Sequence, residues 1–316
     1  MKNKIIIFGG SGFVGVNLSK YLAKKNYNVV STYINKKPKS IKNVRFIKFD
    51  LMSNKFDTKI FKNVDTIFVC SANSSGAKIM TNNPASHFED NLTMNLNLVK
   101  NLQFSSIKKI IFFSSSTVYP NIIRSCNEKS INYTFFKKYN FIGNGKLMIE
   151  KMYELYTSEF KKKIDLLIIR PSNIYGPYDK FDKEKSKVIP SIIRKCFESK
   201  KNLKVWGDGS DLKDFIYIDD FINLTYKLFK LKKRFLVVNI SSSKTVILRN
   251  VIKIIRDISN PSLKIKYTKS KFRMIPVRKV SNSLLKKIIK FKINYSIENG
   301  LRRTIEWYKK NSNDCK

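Results

Sequence analysis

A glycine-rich turn near the start of the chain constrains its fold more than any other feature. Residues 5–8 (IIIF) form a short apolar run typical of a buried strand, and Gly9-x-x-Gly12-x-x-Gly15 follows directly. Apolar residues at helical spacing begin at Val14, so the order is strand, glycine turn and helix. Because such a turn brings backbone N–H groups close to a bound pyrophosphate, it predicts a dinucleotide-binding unit.

Strand-like and helix-like segments alternate through the first half of the chain, and the alternation weakens after about residue 173. It predicts a parallel sheet with helices on both faces. We therefore predict an α/β fold: a doubly wound parallel (Rossmann) sheet with a smaller, interwoven C-terminal lobe. The dinucleotide-binding domain would comprise residues 1–172 and about 216–243, and the lobe residues 173–215 and 244–316. The strands predicted after the first are residues 29–33, 44–49, 66–70, 109–114, 165–170 and 215–218.

Composition argues against several classes of protein. The four cysteines are scattered without a CxxC pair, and the single histidine, His87, excludes a multi-histidine metal site. A lone histidine also weakens any mechanism that needs a histidine base. We therefore expect no metal, and reduced thiols in a cytoplasmic protein. No run of about 18 apolar residues predicts a membrane span.

The formal net charge of +40 is extreme, but the lysines are spread along the whole chain. A concentrated basic tail or a nucleic-acid-binding motif is missing from the sequence. We interpret the charge as compositional bias together with an anionic substrate, and we expect no nucleic-acid partner. RNA binding driven by charge alone is kept as a minor hypothesis, which predicts salt-sensitive RNA affinity.

Four further motifs carry a resemblance to a known family. SSSTVY ends a strand pattern at residues 114–119, RPSNIYGP spans residues 170–177, and VWGDGS and KDFIYIDD begin at residues 205 and 213. With the GxxGxxG turn, they resemble the extended short-chain dehydrogenases/reductases, the NAD-dependent epimerase/dehydratase family. The likeness is nearest to GDP-fucose synthase-like nucleotide-sugar epimerase/reductases. It implies an NAD(P) site in the first domain and a nucleotide-diphosphate sugar in the C-terminal lobe.

The resemblance also implies the residues that bind the cofactor. Asp50 and Leu51 match the family's adenine contact, and Ala72 matches its small residue beside the cofactor ribose. The second strand ends in YINKK (residues 33–37), without the carboxylate that would bind the ribose 2′-hydroxyl of NAD. Lys36 could pair with a 2′-phosphate, which favours NADP over NAD. The full set is Gly9, Ser11, Gly12, Phe13, Val14, Gly15, Lys36, Asp50, Leu51, Ala72, Lys146, Pro171 and Ile174.

The catalytic positions that the resemblance implies are incomplete. In the family, a tyrosine four residues before a helix lysine transfers the proton; here the lysine is Lys146 and that position is Ile142. Isoleucine has no titratable atom. Ser115 matches the hydroxyl that contacts the reacting sugar oxygen, and Thr117 is a second hydroxyl in the same loop. Proton transfer is therefore predicted to be weakened, relocated or lost.

Three side chains are candidates for the missing acid. Tyr139 is seven residues before Lys146, which places it on the same helix face if the helix extends that far. Tyr119 is the tyrosine of the serine loop, a position that is usually structural in the family. Lys146 itself could act if burial lowers its pKa.

The resemblance places substrate residues in the C-terminal lobe. Asn173 offers a donor and an acceptor, and Lys213 stands where the family usually has a diphosphate-binding arginine. GDP-fucose synthases use a cysteine and a histidine for epimerisation; Thr117 and Lys187 occupy those positions here. GDP-fucose synthesis is therefore not assigned. The predicted substrate-binding set is Asn173, Lys187, Lys195, Trp206, Lys213 and Arg278.

Two hypotheses from different classes follow. The first is an NAD(P)-dependent nucleotide-sugar epimerase, dehydratase or reductase that supplies precursors of surface polysaccharides. The second is a catalytically degenerate NADP-binding or scaffold protein of the same fold, motivated by positions 117, 142 and 187. By resemblance we also expect a homodimer formed through a helix pair that includes the Lys146 helix. The sugar, the nucleotide and the direction of reaction do not follow from the sequence.

Overall fold

The computed structural model describes residues 4–53, 57–74, 82–102, 105–159, 163–268 and 275–315. Thirteen strands are described: β1 (Lys4–Phe8), β2 (Asn28–Tyr33), β3 (Val44–Lys48), β4 (Val64–Val69), β5 (Lys109–Phe113), β6 (Asp165–Pro171), β7 (Asn173–Tyr175), β8 (Asn202–Trp206), β9 (Leu212–Tyr217), β10 (Phe235–Ile240), β11 (Thr245–Ile247), β12 (Lys264–Thr268) and β13 (Val277–Arg278). The described α-helices are α1 (Phe13–Lys24), α2 (Pro84–Leu102), α3 (Asn140–Glu159), α4 (Val188–Glu198), α5 (Ile218–Phe229), α6 (Leu248–Ser259), α7 (Ser283–Ile288) and α8 (Ile297–Asn311).

A seven-stranded parallel sheet forms the centre of the molecule, in the order β10-β6-β5-β4-β1-β2-β3. The strand order reverses beside β1, so the loops after β1 and β4 diverge there. In open parallel sheets this point, at the carboxyl ends of the strands, is where ligands bind. The predicted doubly wound Rossmann sheet is confirmed.

The first strand shows why the sheet is covered on both faces. Ile5 and Ile7 belong to one buried cluster, with side chains of α1 and α5, whereas Ile6 and Phe8 belong to another, with side chains of α2 and α3. Successive side chains of a strand point to opposite faces, so a continuous apolar run requires two layers of helix. The sequence IIIF therefore encodes a central strand.

The remaining strands form two small sheets. β9 pairs with β7, β11 and β13, and β8 pairs with β12. The predicted strand at residues 215–218 was wrongly placed in the main sheet: it is part of β9, and Ile218 begins α5. Its place at the edge of the main sheet is taken by β10, a strand that the sequence did not predict. The proposed division into residues 1–172 with 216–243, and the remainder, stays a prediction.

Candidate active site

The glycine turn after β1 packs too tightly for side chains. Gly9 has φ +74°, and a Cβ there would lie 2.5 Å from the Ser71 nitrogen. A Cβ on Gly15 would lie 2.2 Å from the Gly9 carbonyl oxygen. Gly12 precedes α1 without a side-chain cap, which leaves the N–H groups of the first helical turn for a ligand. This bare, positively polarised turn fits the pyrophosphate of a dinucleotide.

Replacing Gly15 with alanine should damage this turn. We expect a loss of about 1–3 kcal/mol of unfolding free energy, because the new methyl group would overlap the Gly9 carbonyl. Cofactor affinity should fall with it. Gly12→Ala is the control with a smaller expected effect, since its Cβ would lie 3.2 Å from the same oxygen. Urea unfolding and cofactor titration measure both effects, and equal behaviour of the two variants would contradict the predicted overlap.

The residues predicted to surround the adenosine half lie on neighbouring loops. Lys36 is exposed beyond the end of β2, and no carboxylate lies between Tyr33 and Lys37. Asp50 is exposed and its Oδ1 accepts from the Met52 N–H at 2.9 Å. Leu51 is buried. The turn residues Ser11, Phe13 and Val14 and the exposed Ala72 lie at the same edge of the sheet.

The serine loop continues β5 into a short 3-10 helix, Ser116–Val118. Ser115 caps this helix, and its Oγ accepts from the Thr117 N–H at 3.1 Å. The Ser115 hydroxyl hydrogen remains available to a ligand oxygen. The Thr117 Oγ1 is buried, and no part of the described chain lies within hydrogen-bonding distance of it. The loop therefore holds two hydroxyls, and their predicted contact with a sugar oxygen stays a prediction.

Helix α3 approaches the serine loop through a glycine. A Cβ on Gly143 would lie 2.8 Å from the Thr117 carbonyl oxygen, so any other residue would push the helix away. Half-buried Ile142 precedes Gly143. The Lys146 Nζ lies 3.4 Å from the Phe113 carbonyl oxygen and 5.0 Å from the centre of the Phe112 ring. Lys146 therefore reaches the end of β5.

The surroundings of Lys146 change its titration. Burial lowers the pKa of this lysine to about 8, and the carboxylate of Glu150 opposes part of that shift. At neutral pH the ammonium is still the major form. As the pH rises above neutrality, Lys146 loses its charge at a lower pH than an exposed lysine does.

Tyr139 lies outside α3. It ends a separate 3-10 helix, Lys137–Tyr139, and α3 begins at Asn140. Tyr139 was predicted to share a helix face with Lys146 only if the helix reached residue 139. The helix does not reach it, so that condition is not met. Burial raises the pKa of Tyr139 to about 12, with Arg278 lowering it and Asp211 raising it. The phenol thus responds to charges of the C-terminal lobe and stays protonated at neutral pH.

Tyr119 is held in a buried network beneath the serine loop. Its hydroxyl donates to the Asn239 Oδ1 at 2.5 Å and accepts from Arg170 at 3.4 Å. Arg170 also pairs with Glu150 through Nε at 3.0 Å and Nη2 at 2.5 Å, and Ser114 donates to the same carboxylate. Burial raises the pKa of Tyr119. These contacts give Tyr119 a structural role.

The turn after β6 places the predicted polar groups of the C-terminal lobe. The Asn173 side chain donates to the Asp214 carbonyl oxygen at 2.8 Å, which joins β7 to β9. Pro171 ends β6 half-buried, and Ile174 is buried. The Asp214 carboxylate accepts from the backbone and hydroxyl of Ser242, and burial raises its pKa to about 6. Asp214 thus supports the turn from within the protein.

Lys213 and Arg278 are neighbours on paired strands. Lys213 donates to the Ile275 carbonyl oxygen and forms an ion pair with Asp211 at 3.2 Å. The buried Arg278 donates to the carbonyl oxygens of Pro120 and Tyr119 at 3.0 and 3.1 Å. Arg278 therefore fastens the serine loop to the C-terminal lobe. Its predicted phosphate contact stays a prediction.

The last three predicted substrate residues are Lys187, Lys195 and Trp206. Lys187 is exposed at the N-terminal end of α4. Lys195 donates to the Lys204 carbonyl oxygen at 3.1 Å, and its Nζ lies 5.1 Å from the centre of the Trp206 ring. Trp206 is 52 % exposed. The Lys195 ammonium therefore lies over the face of an exposed indole, in a cation–π contact.

Sequence reasoning missed three titratable groups near the site. Asp179 is buried, its pKa is raised to about 6 by burial, and no described group bonds to its Oδ2. Lys180 donates to the Ser74 carbonyl oxygen at 3.1 Å and so connects the loop after β7 with the loop after β4. The third group is His87, whose pKa the charge of Lys180 helps to lower. Lysine is so common in this chain that Lys180 carried no signal, and a single histidine argued against a role.

Within the described ranges, no three histidine, cysteine or acidic side chains meet in a way that could hold a metal. The helices of the same ranges include none that is long and apolar enough to cross a membrane.

The parallel sheet, the bare glycine turn and the lysine on α3 define a dinucleotide-binding protein of the short-chain dehydrogenase/reductase type. The chain belongs to the NAD dependent epimerase/dehydratase family, whose model matches residues 5–241. This confirms the family predicted from the motifs.

Similar proteins are nucleotide-sugar enzymes. GDP-L-colitose synthase of Yersinia pseudotuberculosis is 25 % identical over 323 residues, covering 98 % of this chain and 99 % of that protein. GDP-L-fucose synthase 1 of Arabidopsis thaliana is 25 % identical over 318 residues, covering 98 % and 94 %. The structure of UDP-glucuronic acid 4-epimerase from Bacillus cereus, in complex with UDP-glucuronic acid and NAD, matches with a TM-score of 0.82 at 23 % identity, covering 97 % and 99 %.

Proposed function

We propose that this protein is an NAD(P)-dependent nucleotide-sugar epimerase, dehydratase or reductase of the cytoplasm that supplies precursors of surface polysaccharides. One observation carries the proposal: the Ser115 hydroxyl and the Lys146 ammonium come from β5 and α3 to the edge of the sheet where the glycine turn lies. A protein that only bound a cofactor would not need the serine loop or the C-terminal lobe. The relatives named above act on nucleotide sugars.

The chain's own groups suit this chemistry. A bound nicotinamide would supply the acceptor or donor of a hydride. The N–H groups at the start of α1 would hold its pyrophosphate, and the Lys146 ammonium would bind its ribose. The Ser115 hydroxyl would donate to the reacting sugar oxygen, and Thr117 would hold that oxygen from the other side of the loop.

NADP is the proposed cofactor, with NAD as the alternative. The support is the exposed Lys36 beyond β2 and the missing carboxylate at the end of that strand. A lysine can pair with a 2′-phosphate, whereas an aspartate would repel it. Lys36→Asp should therefore weaken NADP binding and leave NAD binding nearly unchanged. Lys42→Asp, an exposed lysine farther along the same loop, is the control.

The proposed function is tested with purified protein, both cofactors and a panel of GDP-, UDP- and dTDP-sugars, with products separated by chromatography. We expect conversion of at least one sugar, and a large loss of turnover in Ser115→Ala with cofactor affinity retained. Ser116→Ala, in the same loop, is the control. Tight cofactor binding without conversion of any sugar would contradict an enzyme and favour the degenerate NADP-binding or scaffold protein, which Ile142 motivates.

A homodimer formed through α3 is the proposed assembly. Phe141, Met148 and Leu155 are spaced seven residues apart on α3 and are 45, 49 and 49 % exposed. Side chains seven apart share one helix face, so they form an apolar stripe. Such stripes commonly mark a contact with another protein surface.

Replacing apolar residues of this stripe with charged ones should separate the subunits. Met148→Glu with Leu155→Glu is expected to weaken the dimer at least tenfold, because two apolar anchors would become charged. Ile123→Glu, at an apolar residue 75 % exposed on a different segment, is the matched control. Sedimentation or light scattering measures the dissociation constant. A dimer that tolerates the double change would place its interface elsewhere.

A further inference from the structure

The only histidine of this chain has an unusual setting. His87 lies on α2 and is 5 % exposed. Its Nδ1 is 3.1 Å from the Asn73 carbonyl oxygen, and since a carbonyl oxygen can only accept, Nδ1 carries the hydrogen. In the neutral ring Nε2 then keeps its lone pair. Nε2 is buried, and no described residue offers it a hydrogen bond.

This ring is fixed firmly at the loop after β4. The Asn73 N–H donates to Asn91 at 3.0 Å, the Asn73 side chain donates to Asp90 at 2.8 Å, and Asn91 donates back to the Asn73 carbonyl oxygen at 3.0 Å. The same loop contains Ala72. His87 is therefore oriented against a loop that belongs to the candidate cofactor site, with one nitrogen anchored and the other unused.

The adjacent residue ties His87 to the helix that lacks the tyrosine. A Cβ on Gly145 would lie 3.0 Å from the Phe88 ring, and the rings of Phe88 and Phe141 are 6.2 Å apart between centroids. The start of α2 thus packs against the first turns of α3. Ile142 lies in those turns. His87 directly precedes Phe88, so it lies on the turn of α2 that packs against the part of α3 that contains Ile142.

Charges from both halves of the molecule act on His87. Burial lowers the pKa of the imidazole, the hydrogen bond to Asn73 and the carboxylate of Asp90 raise it, and the ammonium of Lys180 lowers it. The net direction is downward, so the ring is neutral at pH 7. Lys180 reaches this position from the C-terminal lobe, where its Nζ donates to the Ser74 carbonyl oxygen.

We propose that His87 is the proton-transfer group of this enzyme, with Nε2 taking the proton that the family's tyrosine would take. The proposal rests on the proposed function. With a nicotinamide bound as the hydride acceptor, oxidation of the sugar alcohol to a carbonyl would release the hydroxyl proton, and Nε2 would take it. The resulting imidazolium returns its proton when the hydride comes back. Anchored at Nδ1 and unpaired at Nε2, the ring has the arrangement of a general base.

Lys180 would control access to this nitrogen. Its exposed side chain makes a single described hydrogen bond, to Ser74, between the two halves of the protein. A sugar bound between the halves would replace Ser74 as the acceptor of the Lys180 N–H and would bring a hydroxyl to Nε2. The ammonium would also favour the return of the proton, because it disfavours the imidazolium.

Two substitutions separate anchoring from proton transfer. His87→Asn keeps a short amide donor for the Asn73 carbonyl oxygen and removes Nε2, and we expect turnover to fall about 100-fold or more with cofactor affinity changed less than about threefold. His87→Phe removes both functions and should also lower stability. The pH profile of the wild type should lose its acidic limb in His87→Asn.

The single histidine also gives a readout that is independent of turnover. In NMR spectra its one imidazole should titrate below the ordinary value, with a hydrogen on Nδ1, and its signals should shift when a nucleotide sugar binds. Lys180→Met should raise that pKa. If the wild type converts a sugar and His87→Asn converts it at the same rate, the proton-transfer role is overturned and the proposed function stands. An imidazole insensitive to nucleotide sugars would overturn it too, and a wild type that converts no sugar would overturn both.

Discussion

Replacing Arg170 with methionine is expected to lower the unfolding free energy by about 3–5 kcal/mol, among the largest effects of any substitution in this protein. The guanidinium forms two bonds to Glu150 at 3.0 and 2.5 Å, and the side chains of the two residues are only 6 and 7 % exposed. Without Arg170, the buried carboxylate would lose its ion pair and keep only the hydrogen bond from Ser114. Tyr119 would lose a partner at the same time.

The design includes a matched control and a rescue. Arg302→Met removes a similar pair with Glu298 at 3.3 Å, but that pair is more than half exposed and should contribute less than about 1 kcal/mol. The double variant Glu150→Gln with Arg170→Met should recover part of the loss, because the buried carboxylate that lost its ion pair is also removed. Urea unfolding measures all of them. A loss below about 1 kcal/mol for Arg170→Met would contradict a supporting role for this pair.

Replacing Lys146 with methionine is expected to have opposite effects on function and stability. Cofactor affinity should fall about 10- to 100-fold, since a charged hydrogen bond to the ribose would be lost. Stability at pH 7 should rise by about 1–3 kcal/mol, because burial depresses the pKa of this lysine from 10.5 to about 8 and the ammonium is therefore buried at a cost. Cofactor titration and urea unfolding of the same samples test the pair of effects.

The sign of the pH dependence follows from the same shift. Between pH 8 and 10.5 the unfolded chain holds a proton on Lys146 that the folded chain has released, so this residue makes the protein more stable as pH rises through that window. Cofactor binding should move the other way and weaken above about pH 8. Lys151→Met, with a side chain 62 % exposed on the same helix, should change neither profile. Cofactor affinity that is flat through pH 9 would contradict a role for the ammonium.

The predictable part of this molecule is local in sequence. The glycine turn, β1 and the start of α1 are adjacent in sequence, so they could be predicted without any knowledge of contacts between distant segments. The Lys146 helix and the serine loop are likewise short motifs. The sequence did not predict β10 as the seventh strand of the main sheet. Nothing in its own residues distinguishes such a strand from one in the C-terminal lobe, because its position depends on pairing with β6.

The parts of the site that were missed depend on contacts between distant segments. His87 acquires its orientation from Asn73 and its charge environment from Lys180, 93 residues away in sequence. Tyr139 looked like a continuation of α3, but the backbone there forms a separate 3-10 turn. Arg278 was predicted as a phosphate ligand from its type and region; its guanidinium donates to two carbonyl oxygens of the serine loop, and the phosphate contact stays a prediction.

The pairing of β10 with β6 also has a consequence for synthesis of the chain. Ribosomes make proteins from the N-terminus, so β6 emerges with one edge unpaired and remains so until residues 235–240 follow. An open edge of buried apolar strand is a template for pairing with other chains. The nascent protein therefore passes through an aggregation-prone interval of about sixty residues, counted from the end of β6 to the start of β10, and chaperones that shield strand edges would act on it during that interval.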